Sequence, residues 1–393
     1  MLLCAPAAQG QEDAPPAHVD VAQVSGWIDP VVVDFIDKSL GASERSGAEA
    51  LILQLDSPGA LVDDETLAEL VERVEGAKVP VAVWIGGSGA KATGGAATLA
   101  LAGHVRGMAP KARLEVDGRR LSPDQAGEQG LVELNERESA VLGTFIAALD
   151  GQRALGRRLD TATFTEQEEG PPQAALVVQA RLAKLDLGPR LLHTVASPPV
   201  AYLLLCAGLA LLVFELYTGG VGIAGGVGAM CLAACAYGLD VLPTNGVGLA
   251  LIVLAMFGFA IDVQTGVPRF WTGVGVVALV AGSLLLYDDP VDLGWLPLAG
   301  GVLGTVLMML AGLPATVRSR FSTPTIGRES MIGEIGEAVA AVDPEGVVRV
   351  RDALWPARVN RATPLAPGDA VRVVAIVGAS LEVAPLEEDT PKG

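Results

Sequence analysis

Residues 198–313 form a single block of apolar sequence in a chain of 393 residues, and no other feature limits the fold as strongly. Both flanks carry ordinary charge, so the mean hydropathy of +0.45 comes from this block. A soluble domain spreads its apolar residues over every element, whereas a run this long belongs in a bilayer. Charged and turn-rich points divide it into stretches at 199–217, 220–238, 246–262, 271–287 and 293–313. Each falls in the range of about 17–25 residues that spans a hydrocarbon core; the shorter ones leave a re-entrant second or third segment open. Arg269 lies between the third and fourth stretches and Arg318 and Arg320 follow the fifth, while the loops at 240–246 and 287–295 carry no Lys or Arg. Cations collect on the cytoplasmic side, which puts the N-terminal part outside and the C-terminal part in the cytoplasm.

The first flank reads as strands alternating with helices. Residues 19–24 alternate like a strand, and Asp29-Pro30 opens a helix with Val32, Phe35, Ile36 and Leu40 on one face. The runs at 50–56 and 79–85 are near-continuously apolar, as in strands covered on both faces. Between them a helix capped by Asp63 or Asp64 turns Leu67, Leu70, Val71 and Val74 inward. The turn at Gly86-Gly87-Ser88-Gly89 leads to a small-residue helix near 94–103 and a strand at 105–109, and Ser122-Pro123-Asp124-Gln125 has capping-box form. This order predicts a parallel sheet covered by helices over residues 16–145. Residues 146–197, with Glu168-Glu169-Gly170-Pro171-Pro172 at their centre, read as a tether. Residues 1–15 read as a remnant signal peptide or a tail. After the apolar block, five short strands at 331–339, 346–351, 354–359, 370–377 and 380–383 predict a small OB-type barrel over 325–386.

The formal net charge of −18 argues against nucleic acid, since an acidic surface repels phosphate. The barrel also lacks an aromatic platform for bases, Trp355 being its one aromatic residue. Cys206, Cys231 and Cys235 lie in the apolar block, Cys4 at the start, and His18, His104 and His193 are scattered. No disulfide framework, metal site or cofactor is expected.

The order of parts resembles the long form of the NfeD family: a ClpP-like (crotonase-like) α/β serine protease domain, a multi-span helical block and a cytoplasmic all-β OB-type domain. The residues that carry the resemblance are Gly26-Trp27-Ile28-Asp29-Pro30, Leu55-Asp56-Ser57-Pro58-Gly59, Ser88-Gly89-Ala90-Lys91-Ala92 and Met108-Ala109-Pro110. Further along they are Phe214-Glu215-Leu216-Tyr217-Thr218-Gly219-Gly220, Gly333-Glu334-Ile335-Gly336, Leu354-Trp355-Pro356-Ala357 and Gly368-Asp369-Ala370-Val371.

The resemblance implies a serine nucleophile, a lysine base and an oxyanion hole of backbone N–H groups. Active members carry a run like Ser-Gly-Ala-Arg-Ala-Ala-Ser-Ala-Gly, and Gly94 stands here in the nucleophile's place. The segment that should bring the lysine is missing, because Met108-Ala109-Pro110 runs almost directly into Leu121-Ser122-Pro123. The oxyanion turn reads Gly59-Ala60 instead of Gly-Gly. Ser88 and Thr93 are the nearest replacement hydroxyls and Lys91 and Lys111 the nearest amines; all four are expected to serve turns or solvent. His104 is expected to be packed or capping, and Glu215 to take the N–H groups of the Gly219-Gly220 turn at a membrane boundary. Trp355 is expected in the barrel core or on a binding face. The resemblance thus implies a degenerate protease kept as a scaffold or binding partner in membrane protein quality control or organisation. Its partners would be the bilayer and stomatin- or flotillin-like proteins, with self-association left open. The alternative is an active membrane-bound serine endopeptidase.

Overall fold

The computed structural model describes residues 17–165, 173–219, 222–265, 270–316, 328–359 and 363–386. The readings made for 1–15, for 168–172 and for Arg269, Arg318 and Arg320 lie outside those residues. The chain divides into two compact units, residues 1–313 and 314–393.

The first unit opens with β1 (His18–Ser25), α1 (Pro30–Ser46), β2 (Ala50–Asp56), α2 (Asp64–Glu75), β3 (Val81–Ile85), β4 (Lys91–Ala92), α3 (Gly95–Leu101) and β5 (Val105–Met108). Then come β6 (Arg113–Val116), β7 (Arg119–Leu121), α4 (Pro123–Glu128) and α5 (Leu142–Ala148). Strands β1, β2, β3 and β5 pair in parallel. Side chains alternate across a strand, so β2 feeds two cores. Leu51, Leu53 and Leu55 join Val32, Ile36, Leu40, Leu70 and Leu99 on the face covered by α1, α2 and α3. Ile52 joins Val21, Trp84, Phe145 and Leu149 on the other. Asp29 caps α1 by accepting the Val32 N–H at 2.8 Å, and the capping box at Ser122 forms as expected.

The tether expected over 146–197 is corrected by the structure. Ile146 and Leu149 are buried in the second core beside Phe145. Beyond them come the paired β8 (Arg153–Ala154) and β9 (Arg157–Arg158), the hairpin of β10 (Ala162–Thr165) and β11 (Gln173–Leu176), and β12 (Gln179–Ala183). Strand β12 adds to the sheet beside β1 in parallel register, from His18↔Gln179 to Ala22↔Ala183. It is an edge strand with mostly exposed side chains, held by backbone bonds, and so it lacks the apolar run that betrays a central strand.

The short helix α6 (Leu187–Val195) links this domain to the membrane block. His193 lies between two acceptors, with Nδ1 2.8 Å from Asp29 Oδ2 and Nε2 2.9 Å from the Ser25 carbonyl. Both ring nitrogens must donate, so this geometry selects the imidazolium. Trp27 and Leu61 pack beside Ala201, Leu242, Val291 and Tyr287 of the helical block, and the Tyr287 hydroxyl donates to the Pro198 carbonyl at 3.0 Å.

That block contains α7 (Pro198–Thr218), α8 (Ile223–Val241), α9 (Gly246–Thr265), α10 (Phe270–Leu284) and α11 (Trp295–Leu307), the last running through a π-helical turn at Met308–Gly312. Helices α7 and α8, and α9 and α10, form two hairpins, each seamed by glycine. A β-carbon at Gly228 would lie 2.9 Å from the Gly208 carbonyl, and one at Gly282 2.8 Å from the Gly248 carbonyl. Backbones this close replace the hydrophobic drive that lipid cannot supply. Tyr202 of α7, fully buried, hydrogen-bonds Ser283 of α10 at 2.9 Å and fills the space beside Gly301 of α11. Helices at Pro198–Thr218, Ile223–Val241 and Trp295–Thr316 are long and apolar enough to cross a membrane, while Gly246–Asp262 and Phe270–Leu284 are shorter apolar helices. Leu216, Met230, Phe257, Val277, Trp295 and Leu296 point outward, exposed, which suits lipid as the surrounding medium.

The second unit is a closed barrel of β13 (Ile335–Ala338), β14 (Glu345–Val350), β15 (Ala353–Arg358), β16 (Ala370–Val377) and β17 (Ser380–Pro385) in the order β13-β14-β15-β17-β16. Val348, Val350, Val371, Val373, Leu381 and Val383 fill it, and Trp355 packs against them half-buried. The α/β, helical and barrel parts read from the sequence are therefore all present.

The Asp29 hydrogen bond raises His193 above the usual imidazole range, against the opposing effect of burial. A raised folded value means the His193 contact contributes fully below about pH 6.5, the ordinary histidine value, and fades as pH rises through the raised one. Amide hydrogen exchange in α6, corrected for its intrinsic pH dependence, should therefore be slowest at acid pH and faster under alkaline conditions. His193→Gln should remove this trend; the same trend in the variant would mean another group controls α6.

Candidate functional site

The site begins at the turn after β2. Ser57 is fully buried, and its hydroxyl donates to the Gly59 carbonyl at 2.9 Å. The Ser57 N–H donates to the Lys91 carbonyl at 2.7 Å and the Ser57 carbonyl accepts from Thr93 N–H at 3.3 Å, so β4 is fastened to the turn. Asp56 adds a bond from Lys91 N–H at 3.0 Å. On its other side the turn is held by Ile28, which donates to the Gly59 carbonyl at 3.0 Å and accepts from Leu61 N–H at 2.8 Å. Only glycine fits at 59, where φ is +151° and a β-carbon would lie 2.7 Å from the Trp27 ring.

Gly94 forms the elbow between β4 and α3 with φ +53° and ψ −133°. Side chains rarely adopt this backbone except where a nucleophile is forced out of a strand-to-helix turn. Space is available there, since a β-carbon on Gly94 would meet nothing nearer than Gly59 Cα at 3.9 Å. Gly95, by contrast, is sterically required: its β-carbon would lie 2.7 Å from Ala60 Cβ and 2.8 Å from Leu67 Cδ2. The Ala60 and Gly95 N–H groups have no acceptor among the described residues. Both border a cavity of about 630 Å³ lined also by Trp27, Pro58, Lys91, Thr93, Gly94, Arg113 and Arg120, and by Pro290 and Asp292 of the α10–α11 loop.

Neither hydroxyl read from the sequence is hydrogen-bonded to a basic side chain among the described residues. Thr93 borders the cavity, but its hydroxyl donates to the Pro58 carbonyl at 2.5 Å. Ser88 is exposed and does not line the cavity. Lys91 is exposed at the cavity edge, and Lys111 is exposed in a turn at φ +64°. Where a lysine-bearing segment would be needed, Pro110 passes through a tight turn into the β6–β7 hairpin, whose Glu115 and Arg120 form a salt bridge at 3.1 Å. His104 accepts from Val81 N–H at 3.1 Å and so finishes the start of β3. The Glu215 oxygens accept from Gly222 N–H at 2.9 Å and Gly225 N–H at 3.3 Å and so cap α8, while Gly220 of the expected turn lies outside the described residues. Asp262 does the same for α10 through Thr272 N–H at 2.7 Å. A free helix start offers unpaired N–H groups, and the nearest carboxylate takes them.

Trp27, Arg113, Pro290 and Asp292 were not singled out in the sequence as site residues. Trp27 appeared there only within a family marker, and Pro290 and Asp292 reach the cavity only through the packing of the helical block. Among the described residues no group of three His, Cys, Asp or Glu side chains could hold a metal. The site can offer two backbone donors and cationic side chains to a carbonyl or carboxylate, but no hydroxyl paired with a base.

Residues 199–313 match the family model described as the NfeD integral membrane domain, and residues 328–385 match that of the NfeD-like C-terminal, partner-binding domain. The chain is 26% identical over 421 residues to a membrane-bound protease, PH1510, of Pyrococcus horikoshii, covering 93% of this chain and 92% of that one. Among solved structures, the 1510-N membrane protease specific for a stomatin homolog, from the same organism, is similar at 20% identity. That match covers 46% of this chain and 98% of the other, with a TM-score of 0.37. The C-terminal domain of stomatin operon partner protein 1510-C, also from Pyrococcus horikoshii, is 40% identical over 16% of this chain and 98% of its own, with a TM-score of 0.16. The chain thus carries both NfeD domains, with an α/β domain ahead of them in the order of a long-form NfeD protein, and is similar almost end to end to a membrane-bound protease.

Proposed function

We propose that the α/β domain holds polypeptide without hydrolysing it, and that the protein is a membrane-anchored scaffold. The observation that carries this reading is Gly94: the elbow keeps the backbone of a nucleophile position but presents no side chain. Acyl transfer works through a hydroxyl and a base acting together, and here Thr93 is bonded to the turn while the segment that would bring a lysine is replaced by a short hairpin. The partner-binding description of the C-terminal domain supports a binding role. A relative specific for a stomatin homolog supports stomatin- or flotillin-like membrane proteins as the partners, in membrane protein quality control or organisation. An active serine peptidase is the lesser reading, because nothing at the cavity provides both halves of the reaction.

The α/β domain lies outside the cytoplasm and the barrel inside it. Arg269, Arg318 and Arg320 all fall on the side that this arrangement makes cytoplasmic. If the α9–α10 hairpin dips in and returns instead of crossing, the number of crossings stays odd and Arg318 and Arg320 alone carry the same assignment. Cysteines placed at Asp124 and Glu337 check it: an impermeant maleimide should label the first in intact cells and the second only after permeabilisation. Labelling of both in intact cells would contradict the arrangement.

Restoring a serine at the elbow should not restore hydrolysis. Gly94→Ser should leave turnover of casein and of a hydrophobic peptide at background. It should also cost the α/β domain about 1–3 kcal/mol in denaturant unfolding, from a side chain held at positive φ. Turnover by the unaltered protein that disappears in a Ser88→Ala, Thr93→Ala double variant would favour the peptidase instead.

A further inference from the structure

The cavity beside Gly94 carries a pair of cations that make no salt bridge among the described residues. Strands β4 and β6 are parallel, with Lys91 directly in register with Arg113. Both side chains are exposed and both line the cavity. Like charges on facing positions of neighbouring strands repel, and in a chain of formal net charge −18 acidic partners are plentiful. Yet among the described residues neither Lys91 nor Arg113 makes a salt bridge; the Arg113 guanidinium donates only to the adjacent Ala112 carbonyl, at 3.2 Å. Of the two acidic side chains at the cavity, Glu115 is paired with Arg120, and Asp292 approaches from the α10–α11 loop without an ion pair to either cation. The Ala60 and Gly95 N–H groups, also without acceptors among the described residues, border the same space.

We propose that Lys91 and Arg113 are a carboxylate-binding site for polypeptide, taking an acidic side chain or a free C-terminus while the Ala60 and Gly95 N–H groups bond its backbone. The class of ligand follows from what surrounds the pair. Backbone donors beside a strand suit an extended chain, and a paired cationic site suits a carboxylate. One wall of the cavity belongs to the loop between two helices of the membrane block, so the segment it takes runs close to the bilayer surface. Extracytoplasmic loops of membrane proteins are poor in Lys and Arg, which leaves their carboxylates free for such a site. This rests on the reading that the domain binds without cutting.

The test uses the full chain in phosphatidylcholine nanodiscs and three fluorescent apolar decapeptides of otherwise equal sequence. One is amidated and neutral, one ends in a free carboxylate, and one is amidated with a central glutamate. Fluorescence anisotropy gives the affinities and mass spectrometry the integrity of each peptide. At least one carboxylate peptide should bind about tenfold or more tighter than the neutral one, a preference that shrinks with added salt. Which of the two binds tells a terminal from a side-chain carboxylate. The preference should vanish in the double variant Lys91→Gln, Arg113→Gln, and persist in Lys91→Arg. Equal affinity of all three peptides, no binding of any, or a preference unchanged in the double variant would overturn the carboxylate site and leave the non-cleaving reading standing. Cleavage of a bound peptide would instead overturn the non-cleaving reading while the affinities still judge the site.

Discussion

One carboxylate joins the two halves of the first unit. Asp29 is almost wholly buried; one of its oxygens caps α1 and the other receives His193 from α6, the helix that leads into the membrane block. A buried carboxylate is costly unless every lone pair finds a donor, and both partners here are donors. The two residues before Asp29 use the position it fixes. Trp27 packs on the helical block and excludes any side chain at Gly59, and Ile28 holds the 59–61 turn by two backbone bonds. The elbow at Gly94 is thereby set over the α10–α11 loop.

In the non-cleaving reading, the scaffold of a hydrolytic site can stand without its hydroxyl. The elbow depends on backbone conformation and on the small size of Gly95, and neither requires a hydroxyl at 94. A glycine there relieves the strain that a serine would have to bear at positive φ. What remains is a cavity with backbone donors and two cations, properties that serve binding as well as they serve transition-state stabilisation.

Much of this was legible in the sequence because it depends on local pattern. The parallel strands appeared as apolar or alternating runs, α1 and α2 as helices with an apolar face, α4 by its capping box, and the barrel as short strands between turn residues. The empty elbow was also legible, since Gly94 interrupts a run whose form is otherwise kept. Strand β12 was missed because an exposed edge strand is specified by its neighbour's backbone rather than by its own apolarity. The bonds from Gly222 and Gly225 to Glu215 were not foreseen because those residues come within reach only when α7 and α8 fold back on each other. The pairing of Lys91 with Arg113 needed the register of two strands separated by a helix and a further strand, which spacing along the chain does not give.

The central claim is that no side chain at this cavity can be acylated or phosphonylated as a catalytic nucleophile would be. Incubating the full chain with a fluorophosphonate and measuring its intact mass tests this without knowledge of a substrate. The account predicts an unmodified mass under conditions in which an active serine hydrolase is fully labelled. A stoichiometric adduct that maps to Thr93 or Ser88, and is lost in the corresponding alanine variant, would contradict it.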